Sequence, residues 1–186
     1  MVPITSLWLP ILLSAVIVFV VSSIIHMALP FHKSDYRKLP EEDTVLDVLR
    51  TAGVTPGRVY VLPYCTQKEM KSPEMVEKFK RGPIGLLTVR PSGAPALGKF
   101  LGQWFFYCVL VSFFTAYLTG RTRMPGTQYL EVFRVAGATA FMGYSLALIQ
   151  NAIWKGETWG ITLKYVFDGL IYGLLTAGTF GWLWPK

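Results

Sequence analysis

The sequence has few of the residues that usually build metal and redox centres. Its 186 residues include only two cysteines, Cys65 and Cys108, with no CxxC or Cys/His spacing around them, and only two histidines, His26 and His32. That supply is poor for a zinc, haem or copper site made by this chain alone. We therefore predict no bound metal and no cofactor, and we interpret both cysteines as ordinary thiols.

Recognisable catalytic motifs are also missing. No GxSxG, HExxH, Walker A or paired GxGxxG element occurs, and no two carboxylates lie close along an apolar helix face. The net charge of +7 is not arranged as a basic stripe with stacking aromatics, so a nucleic-acid partner is not expected. Anionic lipid headgroups are the expected counter-charge. An enzyme is unsupported by the motifs.

Long apolar runs dominate what is present. Hydrophobic residues make up 52% of the chain and aromatic residues 15%, which exceeds the need of a soluble domain of this length. About 20 apolar residues suffice for a helix to cross the bilayer hydrocarbon. The sequence therefore predicts an all-α integral membrane protein with four transmembrane helices. These are helix 1 over residues 5–30 and a three-helix region over 99–185, with runs at 100–120, 130–154 and 158–184.

The segment between the first two runs, residues 31–98, carries most of the basic residues, whereas none precedes the first run. The positive-inside rule assigns this segment to the cytoplasm and both termini to the outside of a cell (inner) membrane. Arg121 and Arg123 fall on the outer side and argue mildly against this orientation.

Within residues 31–98, turn, capping and alternation signals predict a small αβαβ-like arrangement. Strands are expected at 59–62 and 86–89, and a helix is expected to begin after Ser72 and Pro73. A unit of this size buries too little apolar surface to stand alone. We expect it to lean on the membrane, the helices or a partner.

Asp168 is the ionisable residue deepest within an apolar run. Lys164 precedes it by four residues and Tyr172 follows by four, so the three share one helix face. One interpretation is an ion or solute path along this face. The other is structural: Lys164 or a hydrogen bond to another helix neutralises Asp168, while Lys164 reaches towards the headgroups.

Further candidates are predicted to contact neighbouring helices or partner chains. Small residues on the third run, among them Gly143, are expected to pack against Gly169 and Gly173 of the fourth. Glu131 and Arg134, three residues apart, are expected to form an interfacial ion pair. Gln150 and Asn151 are expected to form interhelical hydrogen bonds, and substrate binding is the alternative for these two amides. A local or interhelical bond is expected from a histidine near the end of helix 1. These polar candidates are Glu131, Arg134, Gln150, Asn151 and His26.

Three functions remain open. The first, which we favour, is a non-catalytic accessory or structural subunit of a larger membrane complex, with protein partners or further copies of itself. The second is a small oligomeric ion or solute transporter or channel that uses Asp168. The third is a membrane enzyme for lipid-like substrates, for which His26, His32 and Asp35 are the available residues.

Overall fold

Seven α-helices and two β-strands make up the regular structure in a computed structural model that describes residues 1–186. Helix accounts for 66% of the chain, which confirms the mostly helical prediction. The elements are α1 (Trp8–Ser23), α2 (Glu42–Thr51), β1 (Arg58–Leu62), α3 (Pro73–Arg81), β2 (Gly85–Val89), α4 (Leu97–Thr122), α5 (Tyr129–Tyr144), α6 (Ile149–Lys155) and α7 (Trp159–Trp182).

Three helical stretches are long and apolar enough to cross a membrane. They are Ile4–Ala28, Leu97–Thr122 and Tyr129–Lys155. The 24-residue α7 is not among them, so the predicted count of four spans is not confirmed. Two ionisable residues, Lys164 and Asp168, lie within α7.

The third apolar stretch is interrupted, although its sequence predicted an unbroken run over 130–154. Helix α5 ends at Tyr144, the backbone leaves helical geometry at Ser145 (φ −126°, ψ −50°), and a 3₁₀ turn leads into α6. The Ser145 hydroxyl donates a hydrogen bond to the carbonyl of Val166 on α7, at 3.3 Å. A side-chain contact with a neighbouring helix therefore accompanies the break.

The chain divides into two units. The first, residues 1–35, 96–152 and 157–186, is a bundle in which α1, α4, α5 and α7 pack together. Helices α5 and α7 approach closely because glycine leaves room: a Cβ at Gly173 would lie 3.2 Å from the backbone nitrogen of Phe141. A Cβ at Gly137 would lie 3.1 Å from the Cβ of Ala177. Small residues thus let two backbones meet.

The second unit, residues 36–95 with 153–156, contains α2, β1, α3 and β2 in that order. Helix α3 begins as its sequence predicts: the Ser72 hydroxyl accepts a hydrogen bond from the Met75 amide at 3.2 Å, and Pro73 occupies the first turn. Strands β1 and β2 pair antiparallel, with Tyr60 opposite Leu87. The predicted two-stranded sheet is confirmed.

Candidate functional site: a histidine–aspartate cluster beside a cavity

The first apolar stretch ends in an unusual backbone that brings both histidines to one place. After α1 the helix widens into a π-helical turn, Ile24–Ala28, and a 3₁₀ turn over Pro30–His32 follows. Such wide turns are rare and are often found at functional sites. The result is that the rings of His26 and His32 lie 4.3 Å apart between centroids.

A continuous chain of polar contacts runs through the His32 ring. Its Nδ1 lies 2.5 Å from Oδ2 of Asp35, three residues further along the chain. Its Nε2 lies 2.8 Å from Oδ2 of Asp168 on α7, across 136 residues of sequence. His32 therefore joins a carboxylate of the turn after the first apolar stretch to the carboxylate within α7.

Lys164 binds the turn and not Asp168. Of the two structural alternatives for Asp168, pairing with Lys164 is therefore not seen, and Asp168 instead contacts a residue outside its own helix, His32. Its Nζ donates to the carbonyl of Phe31 at 2.7 Å, to Oγ of Ser34 at 2.9 Å and to Oδ1 of Asp35 at 2.5 Å. Burial alone would raise the pKa of Asp35, but the hydrogen bonds from Lys164 and His32 outweigh it and lower that pKa below its ordinary value. Asp35 is thus an ionised partner for both.

Asp168 is almost completely buried, with 1% of its surface exposed. Its Oδ2 contacts His32 and lies 3.7 Å from Nε2 of His26. Its Oδ1 has no hydrogen-bond partner. Tyr172, one turn further along α7, places its hydroxyl 3.5 Å from the same His26 nitrogen. We call His26, His32, Asp35, Lys164 and Asp168 the histidine–aspartate cluster.

A cavity of about 530 Å³ opens beside this cluster. Most of its wall is aliphatic or aromatic, and Asp168, His26 and Tyr172 of the cluster region are part of the lining. The indole nitrogen of Trp104 donates to Oγ of Ser22 at 2.8 Å, which fixes one aromatic wall. The lining residues are Ser22, Ser23, His26, Met27, Leu97, Leu101, Trp104, Tyr107, Tyr144, Leu148, Tyr165, Asp168 and Tyr172.

The glycines predicted to mediate helix contacts lie at close helix approaches, but in two different places. Gly169 and Gly173 face α5, and a Cβ at Gly169 would lie 3.2 Å from the carbonyl carbon of Tyr144. Gly143 faces α4 instead, where a Cβ would lie 3.0 Å from the Val111 side chain. The small-residue face of the third run is therefore used within this chain.

The other predicted contact residues lie outside the cluster. Glu131 and Arg134 are exposed on α5, and no ion pair joins them. Gln150 is exposed and Asn151 half-buried, and the contact seen for the pair is a hydrogen bond from the Glu157 amide to the Asn151 carbonyl, at 3.2 Å. Neither amide side chain hydrogen-bonds to another helix.

Sequence reasoning listed the members of the cluster but not their assembly. Asp168 and Lys164 were read as neighbours on one helix, while His26, His32 and Asp35 were grouped as candidates of an enzyme. The available signal was the three-residue spacing of His32 and Asp35, which lets their side chains meet within one turn. The contact between this turn and α7 joins Asp35 to Lys164, which are 129 residues apart, and no local sequence pattern predicts it.

The helices and the cluster together define a mostly helical protein with three helices able to span a membrane and a buried Asp–His–Asp arrangement beside an apolar cavity. No protein-family model matches the chain, and no curated protein or solved structure matches it significantly. Its function must therefore be argued from its own residues.

Proposed function

We propose that this chain is a multi-pass membrane protein that binds an amphipathic, lipid-like molecule in the cavity and holds its polar group against the histidine–aspartate cluster. The observation that carries the proposal is a mainly apolar cavity of about 530 Å³ whose lining includes the ionisable side chains of Asp168 and His26. Small-molecule sites commonly have volumes of about 300–1,000 Å³, mainly apolar walls and a few placed polar groups.

The distribution of wall residues supports an amphipathic occupant over a fully polar one. Met27, Leu97, Leu101 and Leu148 contribute aliphatic surface, on which an acyl or isoprenoid chain would bury its methylene groups. Asp168 and His26 bring ionisable groups to the same wall. A hydroxyl, amine or carboxylic acid group on the occupant would hydrogen-bond to them, whereas a pure hydrocarbon would leave them unmatched.

We further propose that α7 is a fourth transmembrane helix. Thr162, Asp168, Thr176 and Phe180 are all buried along it, because α7 packs against both α1 and α5. A helix that its neighbours shield from lipid does not need the apolar composition of a lipid-facing one. Its 24 residues rise about 36 Å at 1.5 Å per residue, enough to cross the hydrocarbon.

The proposed location is the cell (inner) membrane, with residues 31–98 cytoplasmic and both termini outside. The basic residues of that segment support this orientation through the positive-inside rule and through attraction to anionic headgroups. Replacing the exposed Thr51 by cysteine in a Cys65→Ser chain provides a reporter. A membrane-impermeant maleimide should label it in inverted vesicles and not in intact cells, and the reverse pattern would refute the orientation.

Transport through the bundle, the alternative use of Asp168, receives less support. Beyond Tyr172 the interior of the bundle is closed by a cluster that includes Leu7, Val132 and Phe180, all with 0% exposure. The buried hydroxyls of Thr176 and Thr179 donate to carbonyls of their own helix. No second ionisable side chain continues the polar contacts in that direction, which favours binding over conduction within one chain.

A protein partner remains a second proposal, as an accessory subunit or a homo-oligomer, and it rests on the second unit. The hairpin formed by β1 and β2 exposes apolar side chains on both faces, with Val59 62% exposed on one face and Leu62 44% exposed on the other. Exposed apolar surface of this kind often marks a protein interface. Blue-native electrophoresis in a mild detergent should show a species larger than the monomer, and a purely monomeric band would contradict this second proposal.

A photoreactive fatty acid tests the binding proposal directly. Purified protein in nanodiscs is irradiated with a diazirine-labelled fatty acid, and the modified residues are mapped by mass spectrometry. We expect labelling at Leu101 and Trp104, which line the cavity. Replacing Leu101 by tryptophan should fill the cavity and remove the label at Trp104.

The matched control is Leu110→Trp. Leu110 lies on the same helix, nine residues away and so on the opposite face, and is 41% exposed. It should leave labelling at Trp104 unchanged. Equal labelling in both variants, or labelling confined to the outer helix surface, would refute a site in the cavity.

A further inference from the structure

The His32 ring lies between two carboxylates and needs a positive charge. A neutral imidazole has one nitrogen that donates a hydrogen and one that offers a lone pair. If Nδ1 donates to Asp35, then Nε2 directs its lone pair at Oδ2 of Asp168, 2.8 Å away. Two lone pairs at that separation repel unless the ring gains a second proton or a metal ion lies beside both atoms.

The charges around Asp168 point the same way. The ammonium group of Lys164 is bound to Asp35 and to the turn and makes no contact with Asp168. Asp168 is nevertheless buried and keeps one oxygen without a partner. A positive charge beside Asp168 must therefore come from a proton on a histidine or from a bound ion, since a buried carboxylate without one is costly inside an apolar bundle.

We propose that a divalent transition-metal ion supplies the missing charge, bound by Nε2 of His26, Nε2 of His32 and the carboxylate of Asp168. The ligand atoms of these three residues all lie within 4.8 Å of one another. Metal bonds of about 2.0–2.2 Å place neighbouring ligand atoms roughly 3–3.5 Å apart. The distances of 2.8 Å and 3.7 Å from Asp168 Oδ2 to the two histidine nitrogens lie on either side of that range.

The surroundings of His32 are those of a metal-bound histidine. Such a histidine generally donates its other ring N–H to a carboxylate or carbonyl, which fixes the ring and raises the basicity of the binding nitrogen. Asp35 receives that N–H, and Lys164 holds Asp35 in turn. Asp35 and Lys164 are therefore positioning residues, while two imidazoles and one carboxylate favour zinc, iron or a similar ion. This proposal reverses the expectation of no metal, which counted the histidines without Asp168.

Three protein ligands leave at least one coordination position open, as in catalytic zinc sites. His26 and Asp168 both line the cavity, so the open position faces it. The polar group of a bound amphipathic molecule would coordinate there. This last consequence rests on the proposed function, whereas the metal site itself depends only on the three ligands.

Cobalt(II) binding tests the proposal without any knowledge of the substrate. Full-length protein carrying an affinity tag free of histidine is purified in detergent, stripped with a chelator and titrated with Co²⁺. We expect one equivalent bound, a visible ligand-field spectrum typical of nitrogen and oxygen ligands, and displacement by Zn²⁺. Metal content measured after gel filtration provides an independent count.

Single substitutions assign the ligands. Asp168→Asn and His32→Gln should each weaken Co²⁺ binding by roughly a hundredfold or more, and Asp35→Asn, which alters only the support of His32, by about 10–100-fold. Asp47→Asn is the matched carboxylate control, since Asp47 is exposed and far from the cluster in sequence. It should bind as the unmodified protein does.

A variant that replaces one metal-binding side chain by another distinguishes loss of a ligand from misfolding. His26→Cys should still bind Co²⁺ and should add the intense sulfur-to-cobalt charge-transfer absorption that a thiolate ligand gives. Absence of stoichiometric Co²⁺ binding by the unmodified protein, or binding equal to that of Asp168→Asn, would overturn the proposal. The Leu101→Trp variant should keep the metal while it loses the fatty-acid label, so the metal site and the lipid-like ligand can fail separately.

Discussion

The two ends of the helical bundle are built from the same helices but differ in what fills them. At one end, which we call the packed end, Leu7, Val132 and Phe180 are fully buried in a continuous apolar cluster. At the other, the cavity end, a cavity and the histidine–aspartate cluster occupy the interior. Protein interiors are normally filled by side chains, and ionisable groups within apolar bundles are rare. A cavity of about 520 Å³ also lies at the packed end, beside Val2 and Arg121. The cavity end alone combines a cavity with buried ionisable groups, and we therefore propose it as the functional end.

The largest effect that this comparison predicts comes from truncating the packed end. Phe180→Ala should cost about 3–5 kcal/mol of stability, since it removes a fully buried aromatic side chain and leaves a void. Leu101→Ala enlarges a cavity that already exists and should cost less than about 1 kcal/mol. Unfolding in detergent, followed by tryptophan fluorescence against added denaturing detergent, measures both. Equal losses in the two variants would remove the distinction between the ends.

A somewhat smaller loss is expected from Lys164→Met. The substitution keeps a long apolar side chain but leaves the buried Asp35 carboxylate without its ammonium partner, which should cost about 3 kcal/mol. Lys99→Met, at an exposed position on α4, should have little effect. The same unfolding assay applies. A Lys164 variant as stable as the Lys99 variant would show that the turn after the first apolar stretch is not anchored through Asp35.

A third effect lies between the two ends, where α5 and α7 touch. Gly169→Leu should cost roughly 1–3 kcal/mol, because its Cβ would overlap Oγ of Ser145, displacing that hydroxyl from Val166, and would lie 3.2 Å from the Tyr144 carbonyl carbon. Gly160→Leu on the same helix is the control, since a Cβ there meets no atom within 4 Å. Gel filtration and thermal unfolding distinguish them. If both glycines accept leucine equally, the close approach of these helices is not required for folding.

The parts of the fold that follow local rules were predictable from sequence. The apolar runs predicted helices, Ser72 and Pro73 marked the start of α3, and alternating β-branched residues marked the sheet. The interruption at Ser145 was missed because apolar content alone set the predicted run, although Gly143 and Ser145 are weak helix formers. The contact that accompanies the break, from the Ser145 hydroxyl to Val166 on α7, joins distant parts of the chain.

The candidate site was predictable only as a set of unconnected residues. The spacing of Lys164 and Asp168 placed both on one helix face and left open whether Asp168 pairs with Lys164 or hydrogen-bonds to another helix. In the structure Lys164 forms an ion pair with Asp35, and Asp168 contacts His32. The partners of Lys164 and Asp168 are set by the turn that carries His32 and Asp35, which packs against α7 from a distant part of the sequence. Helical periodicity within α7 does not predict that contact.

Native mass spectrometry of the detergent-solubilised protein tests most directly whether the cavity end holds an amphipathic molecule. The detergent is removed from the protein in the gas phase. The mass of any retained ligand is the measured mass minus the mass of the chain alone. The account predicts a retained lipid-like mass in the unmodified protein and in Leu110→Trp, and its loss in Leu101→Trp. The same retained mass in all three proteins, or none in the unmodified one, would contradict it.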